Sequence, residues 1–327
     1  MKATSRPLGR VMLVLAALLA FVPGARAASD YPNRPVKILV GFAAGGATDL
    51  VARIVAEKLS ARLNQQFVVE NRAGAGGVLA TGVVAKSPAD GYTLLMASAS
   101  HAINVSLQKS LPYDPIADFT PIVPVASTTN VLAVNPALPV NSVADYIALA
   151  KAKPGSINFS SAGVGSSAHL AGELFKSMAG IKITHVPYKG TGPALADVIS
   201  GVITMNFSSL PPAVGQVKGG NLRALAVTGE KRIKSLPDVP TLKEQGIDVV
   251  VNGWHGLFAP GKTQDAILDK IAAATQAAMK DPKWDQALAK DGLEMPPERT
   301  RAQFAKFVAD EHAFWGKKLK ELKIEME

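Results

Sequence analysis

Val36-Lys37-Ile38-Leu39-Val40, followed directly by Gly41-Phe42-Ala43-Ala44-Gly45-Gly46-Ala47-Thr48-Asp49-Leu50, is the stretch that decides the fold. An apolar run stops at glycine, and a helical pattern begins a few residues later. Leu50, Val51, Ile54, Val55 and Leu59 recur at steps of three and four, which makes one apolar helix face. Residues 36–42 read as a strand, 48–63 as a helix and 67–70 as a second strand. A short helix from Gly74-Ala75-Gly76-Gly77 to about Lys86 and a strand over 92–98 continue the alternation. Strands that alternate with helices predict parallel pairing through right-handed crossovers.

The same order returns later without sequence identity. Residues 157–160 read as a strand, 161–166 as a Gly/Ser loop, 167–178 as a helix and 183–187 as the returning strand. Two βαβ units, each with a glycine-rich turn at a helix start, predict an α/β protein of two similar domains facing each other. Two extended apolar stretches, 121–136 and 249–260, are the expected crossing strands. The expected division is therefore residues 28–128 with 250–327 as domain I, and 129–249 as domain II. Beyond Pro260 the pattern is helical. Thr300 and Gln303 form a capping box, and Phe304, Phe307, Val308 and Phe314 form a stripe expected to pack on the first domain.

The ends and the composition limit the function. Lys2, Arg6 and Arg10 precede an apolar run over 11–22, and Ala25-Arg26-Ala27 is a small-x-small cleavage site. This reads as a signal peptide over residues 1–27, cleaved after Ala27, with export to a bacterial periplasm. Loss of its four basic residues lowers the formal charge from +9 to +5. The remaining Lys and Arg are scattered, so no nucleic-acid surface is expected. The chain has no cysteine, which excludes disulfides and a lipid-anchored cysteine.

Catalytic readings find little support. The Gly41–Gly46 turn lacks the Gly-Lys-Ser/Thr of a P-loop. Gly163, Gly165 and Ala168 fit a dinucleotide turn, but the acidic residue such folds need about 20 positions on is missing, where Tyr188-Lys189-Gly190 stands. A dinucleotide-binding enzyme is thus the weak alternative. His101, His169, His185, His255 and His312 have no metal-ligand spacing, and no serine sits in a nucleophile elbow. Neither a metal nor a cofactor is expected. A small anion remains: helix starts present free N–H groups and partial positive charge, and glycine lets an anion approach the backbone. Tight helix starts with no ligand are the plain alternative.

At these residues the chain resembles a known family. The segments "YPNRPVKILVGFAAGGATDLVARIVAEKLSARLNQQFVVENRAGAGG", "ADGYTLLMAS", "SSAGVGSSAHLAGELF", "HVPYKGTGPALADVISG" and "LRALAVTGEKR" are similar to extracytoplasmic solute receptors of the tripartite tricarboxylate transporter family, the Bug receptors. The resemblance implies a two-domain Venus-flytrap (type II-like) periplasmic binding protein, monomeric and not an enzyme. It would hold a di- or tricarboxylate or an aromatic acid and deliver it to membrane permease subunits, or report it to a sensor ectodomain. Carried over by position, the resemblance implies ligand contacts from Phe42, Ala44, Gly45, Gly46 and Asp49. Asp49 would orient loop amides rather than touch an anion. Ser98 and His101 would stand at the cleft edge. The second domain would supply Ser161, Ala162, Gly163, Gly165, Ser166, His169, Tyr188, Lys189 and Gly190. Phe42, Tyr188 and Phe207 would wall an aromatic ring. Two positions depart from the family pattern: Gly41 replaces a proline, and Ser208 stands where an aspartate is common.

Overall fold

The computed structural model describes residues 30–107 and 110–321, and the leader assigned to residues 1–27 lies outside them. Strands β1 (Val36–Val40), β2 (Phe67–Asn71) and β3 (Thr93–Ser98) pair in parallel, with β1 in the middle. Helix α1 (Ala47–Leu63) connects the first two and buries Val51, Val55 and Leu59 over the sheet. It stops at Asn64, whose left-handed conformation (φ 49°) is one that asparagine tolerates better than most residues. Helices α2 (Val78–Ala85) and α3 (Ser100–Leu107) follow at the next two strand connections.

The long strand β4 (Phe119–Val134) leaves this half and ends in the other. Around the second half stand α4 (Val143–Ala152), β5 (Asn158–Ser161), α5 (Ser167–Ala179), β6 (Thr184–Pro187), α6 (Thr191–Ile199), β7 (Met205–Ser209), α7 (Leu210–Lys218) and β8 (Arg223–Val227). There β5 pairs in parallel with β6 and β7, repeating the first half's pattern. The chain then returns along β9 (Asn252–Pro260) to α8 (Asp265–Met279), α9 (Pro282–Lys290) and α10 (Arg301–Glu321).

Strand order is β2-β1-β3-β9-β4-β7-β5-β6, with β8 also on β4. The sheet is therefore mixed: β9 is antiparallel to β3 and β4, whereas the crossover strands are parallel. From Phe119 to Thr129, β4 pairs with β9; from Asn130 to Val134 it pairs with β7. The β4–β9 register shifts near Pro121 and again near Pro124. Proline has no N–H for the ladder, so bulges belong there.

The C-terminal helices pack on the first half, α8 against α1 and α10 against α3 and β4. The Thr300 cap is present: Gln303 N–H donates to Thr300 Oγ1 at 3.2 Å and Gln303 Oε1 accepts from Thr300 N–H at 2.9 Å. The stripe expected on α10 needs one correction. Phe304 and Val308 are buried together with His312, Trp315 and Leu319, but Phe314 is 53% exposed. Steps of three and four from Phe304 lead to Trp315, and Phe314 is turned about 100° away on the helix.

Phe304 also lies on the crossing strands, where a Cβ at Gly256 would stand 2.4 Å from its ring. The neighbouring Val123 carbonyl, 3.1 Å from that point, leaves little room to relax. Gly256→Ala should therefore cost about 1–3 kcal/mol by overpacking. Urea denaturation would show this as a lower midpoint at unchanged slope.

Candidate functional site

The two halves meet at their βα turns. Ala43 N–H donates to the Lys189 carbonyl at 3.0 Å. A Cβ on Gly76 would come within 2.0 Å of the Val164 carbonyl oxygen, and one on Gly165 within 1.7 Å of Asn104 Oδ1. Both glycines have positive φ, 60° and 82°, so conformation and clearance require glycine at both places. Beside this seam lies a cavity of about 40 Å³. A water molecule needs roughly 10–15 Å³ on that scale, so the space suits a slender molecule.

Five helix N-termini line this cavity. Gly46, Ala47 and Thr48 start α1; Ser98, Ala99 and Ser100 lead into α3; Ser166, Ser167 and Ala168 start α5. Thr191 opens α6, and Ser209 immediately precedes α7. The remaining walls are Phe42, Ala162 and, from β4 and β9, Thr128, Asn130, Gly253, Trp254 and His255. No Lys, Arg, Asp or Glu is among the described residues lining it. Each N-terminus carries roughly half a positive charge, although Pro193 takes an N–H donor from the first turn of α6, and Pro211 and Pro212 take two from that of α7. The arrangement attracts an anion through dipoles and neutral donors alone.

The family-implied contacts occupy several distinct places. Phe42, Gly46, Ser98, Ala162 and Ser166 line the cavity. Gly45 and Ala44 lie on the same turn but do not line it, and Gly45 N–H donates to Asp49 Oδ2 at 3.0 Å. Asp49 also accepts from Arg53 (3.0 Å) and Asn71 (2.9 Å), and Asn71 in turn donates to the Phe42 carbonyl at 3.0 Å. Burial pushes the Asp49 carboxyl up, but these hydrogen bonds outweigh it and hold it below the usual range. The carboxylate thus braces the turn from behind.

Behind the second turn, Ser161 Oγ accepts from Gly163 N–H at 3.1 Å and lies 2.7 Å from His185 Nε2. Gly165 N–H donates to His169 Nδ1 at 3.3 Å, and the His169 and His185 rings stack with centroids 3.9 Å apart. His101 lines a smaller recess next to the cavity, with Nε2 2.9 Å from the Pro115 carbonyl. Gly190 is buried against Ala43 at the seam, while the Lys189 side chain is exposed. The Tyr188 hydroxyl donates to Asp197 and its ring does not line the cavity. Phe207 is wholly buried in the core beside Phe175, and buried Ser208 donates its hydroxyl to the Ser209 carbonyl. Both stay outside the cavity; the next residue, Ser209, reaches it.

Thr48, Asn130, Ser167, Thr191, Ser209 and His255 are lining residues that sequence reading did not single out. Two signals were present. Alternate positions along an anticipated crossing strand include Gly253 and His255, and Ser209 differs from Ser208 by one step along a strand that ends there.

A two-lobed α/β body with an anion-suited cavity where the lobes meet defines a solute-binding protein. Comparison identifies its family: residues 51–324 match the tripartite tricarboxylate transporter family receptor (TctC), and the chain belongs to that family. It is 39% identical to Protein BugT of Bordetella pertussis, over 88% of this chain and 89% of that one. Among solved structures, R. palustris Rpa4515 with adipate superposes with a TM-score of 0.87 at 36% identity, covering 91% of this chain and 100% of that one. MatC of Rhodopseudomonas palustris with bound malate gives 0.84 at 31%, covering 88% and 99%. The protein is thus a periplasmic solute receptor and not an enzyme.

The buried histidines make its stability depend on pH. Burial lowers His101 to about 4, with His312 adding to the shift. It lowers His169 to about 3 and His185 to about 4, with Lys176 adding to both, and His255 to about 4. Unfolded histidine titrates near 6.5, so between 6.5 and 4 the unfolded chain binds more protons. The stabilisation is complete above about pH 6.5 and is lost progressively on acidification to pH 4. The melting temperature should fall steadily from pH 7 to pH 4.5, and His169→Gln should flatten that slope.

Proposed function

We propose that this receptor captures a small carboxylate between its lobes and delivers it to the membrane permease of a tripartite tricarboxylate-type transporter. The observation that carries this reading is the convergence of five helix N-termini on a cavity with no Lys, Arg, Asp or Glu among the described residues that line it. A carboxylate meets unpaired N–H groups on both sides there, and the neutral walls neither neutralise nor repel it. Adipate and malate, found with two relatives, are of this chemical class. Export after cleavage at Ala27 would place the chain in the periplasm with its ligand. In this reading the lobes, 28–128 with 250–327 and 129–249, close about β4 and β9. Ala44, Gly45 and Asp49 shape the first turn, and Ser161, Gly163, Gly165, His169 and Gly190 shape the second. His101 supports the Ser98 wall.

A ligand held only by the folded protein raises its stability by RT ln(1 + [L]/Kd), about 2.7 kcal/mol at a hundredfold excess. A thermal-shift panel of di-, tri- and aromatic carboxylates is expected to give at least one stabiliser that also compacts the protein in small-angle scattering. NAD, NADP and nucleotides should give none. A nucleotide hit with a silent carboxylate panel would refute the proposal.

Thr191→Asp offers a second test. The substitution suits a first-turn position for folding but sets a negative charge in the wall. Repulsion at ~4 Å is about 1–4 kcal/mol between water-like and near-surface screening. Calorimetry should show at least tenfold weaker binding of the stabilising carboxylate; because Thr191 is buried and its hydroxyl bonds Ser209 at 3.1 Å, the melting temperature should fall as well, with a cooperative melt showing that the variant is folded.

A further inference from the structure

The seam between the lobes touches at two places. At the first, Ala43 N–H donates to the Lys189 carbonyl at 3.0 Å, and a Cβ on Gly190 would stand 2.9 Å from that of Ala43. At the second, the turn at Gly76 and Asn104 of α3 meet residues 163–165 of the other lobe. None of these residues lines the cavity. Each place nonetheless adjoins a helix start that does: Ala43 stands just before Gly46, Gly190 directly before Thr191, and Gly165 directly before Ser166.

The second contact is a knob in a socket. Asn104 is 2% exposed, and its Nδ2 donates to the Gly76 carbonyl at 3.0 Å, which fixes the carboxamide within its own lobe. The three heavy atoms nearest to a Cβ on Gly165 would all belong to Asn104, at 1.7, 2.8 and 3.5 Å. Asn104 thus fills the space that a side chain at position 165 would need. Beside it, a Cβ on Gly76 would stand 2.0 Å from the Val164 carbonyl oxygen, a backbone atom that cannot swing aside as a side chain can. Both obstacles face one lobe from the other, so parting the lobes removes them.

Two separate contacts stop a hinge rotation at one angle. That angle sets the gap across which α1 and α3 face α5, α6 and α7. Helix-end fields fade within about one turn, so the gap decides how firmly an anion is held.

We infer that Gly76, Asn104 and Gly165 are positioning residues, which set the angle at which the lobes shut and through it the affinity, without touching the ligand. The inference rests on the closure reading above and adds the stop at which closure ends.

A double-mutant cycle tests it. Gly165→Ala drives a methyl group into Asn104 and wedges the seam. Adding Asn104→Ala clears the obstacle, while the strain of alanine at φ 82° stays. Gly180→Ala, at φ 61° in the C-cap of α5 with nothing within 4 Å, measures such strain alone. Hydrogen exchange at the Ala43 amide, resolved by NMR, reads the first contact and needs no ligand. Calorimetry with succinate, citrate and benzoate reads affinity.

Gly165→Ala should speed Ala43 exchange at least tenfold and weaken every probe that the wild type binds by one common factor, because only the shut fraction changes. The double variant should return to within about threefold of wild type in both readouts. Gly76→Ala, whose obstacle is backbone, should behave like Gly165→Ala and gain nothing from Asn104→Ala. Gly180→Ala should lower the melting temperature and leave both readouts unchanged. A cooperative melt shows that each variant is folded.

A double variant that exchanges and binds like Gly165→Ala alone would assign the loss to strain in the turn and overturn the inference. Unchanged Ala43 exchange in both Gly165→Ala and Gly76→Ala would overturn it too, as would losses that differ from probe to probe. Each of these outcomes leaves the carboxylate reading intact. A wild type that binds none of the probes counts against that reading, while the exchange measurements still decide this one.

Discussion

The pairing of β4 with β9 is the constraint on which this molecule depends. Two antiparallel strands carry the chain out of one lobe and back again, and their ladder runs from Phe119↔Pro260 to Thr129↔Asn252. Every other element attaches to one side of that ribbon or the other. Because the ribbon is continuous hydrogen-bonded sheet, the lobes cannot separate as if joined by a flexible tether. Any opening has to be a bend or twist of the ladder, and the bulges near Pro121 and Pro124 are its irregular points. The ribbon also forms part of the cavity floor, so one structural device both joins the lobes and presents side chains to whatever lies between them.

Around the floor the chain repeats one solution. A parallel strand ends, a short turn exposes backbone, and a helix starts with its N–H groups toward the cleft. Sheet geometry explains the convergence, since crossover strands deliver their helices at the same edge. The first turn is braced by the Asp49–Arg53–Asn71 network, and the second by Ser161, His169 and His185. The two braces differ chemically. One relies on a carboxylate kept ionised, the other on imidazoles kept neutral by burial. Acid therefore threatens the second turn first.

Much of this architecture is legible in the sequence. Leu50 to Leu59 at helical spacing, the glycine-ended strands and the apolar stretches around Val123 and Leu257 foretell α/β units joined by two crossings. Local periodicity carries that information because one buried face is enough to produce it. The antiparallel insertion of β9 between β3 and β4 has no such local signature, since it depends on how distant segments pair. The candidate site divides the same way. Phe42, Gly46 and Ser166 belong to motifs, whereas Ser209 and His255 become neighbours only through the fold. Phe314 shows the converse limit: an aromatic residue close to a stripe need not belong to it.

The absence of cationic side chains among the described residues that line the cavity has a mechanical consequence. A receptor that held its anion with a lysine would keep that counter-charge on one lobe after opening, and the ligand would linger there. Here the attraction is assembled from helix ends on two bodies, α1 and α3 on one and α5, α6 and α7 on the other. Helix-end fields fade within about one helical turn, so parting the lobes by a few ångströms disassembles the trap itself. Under the proposed function, discharge would then need no chemical trigger and no competing ion. Whatever pried the lobes apart would also let the cargo go.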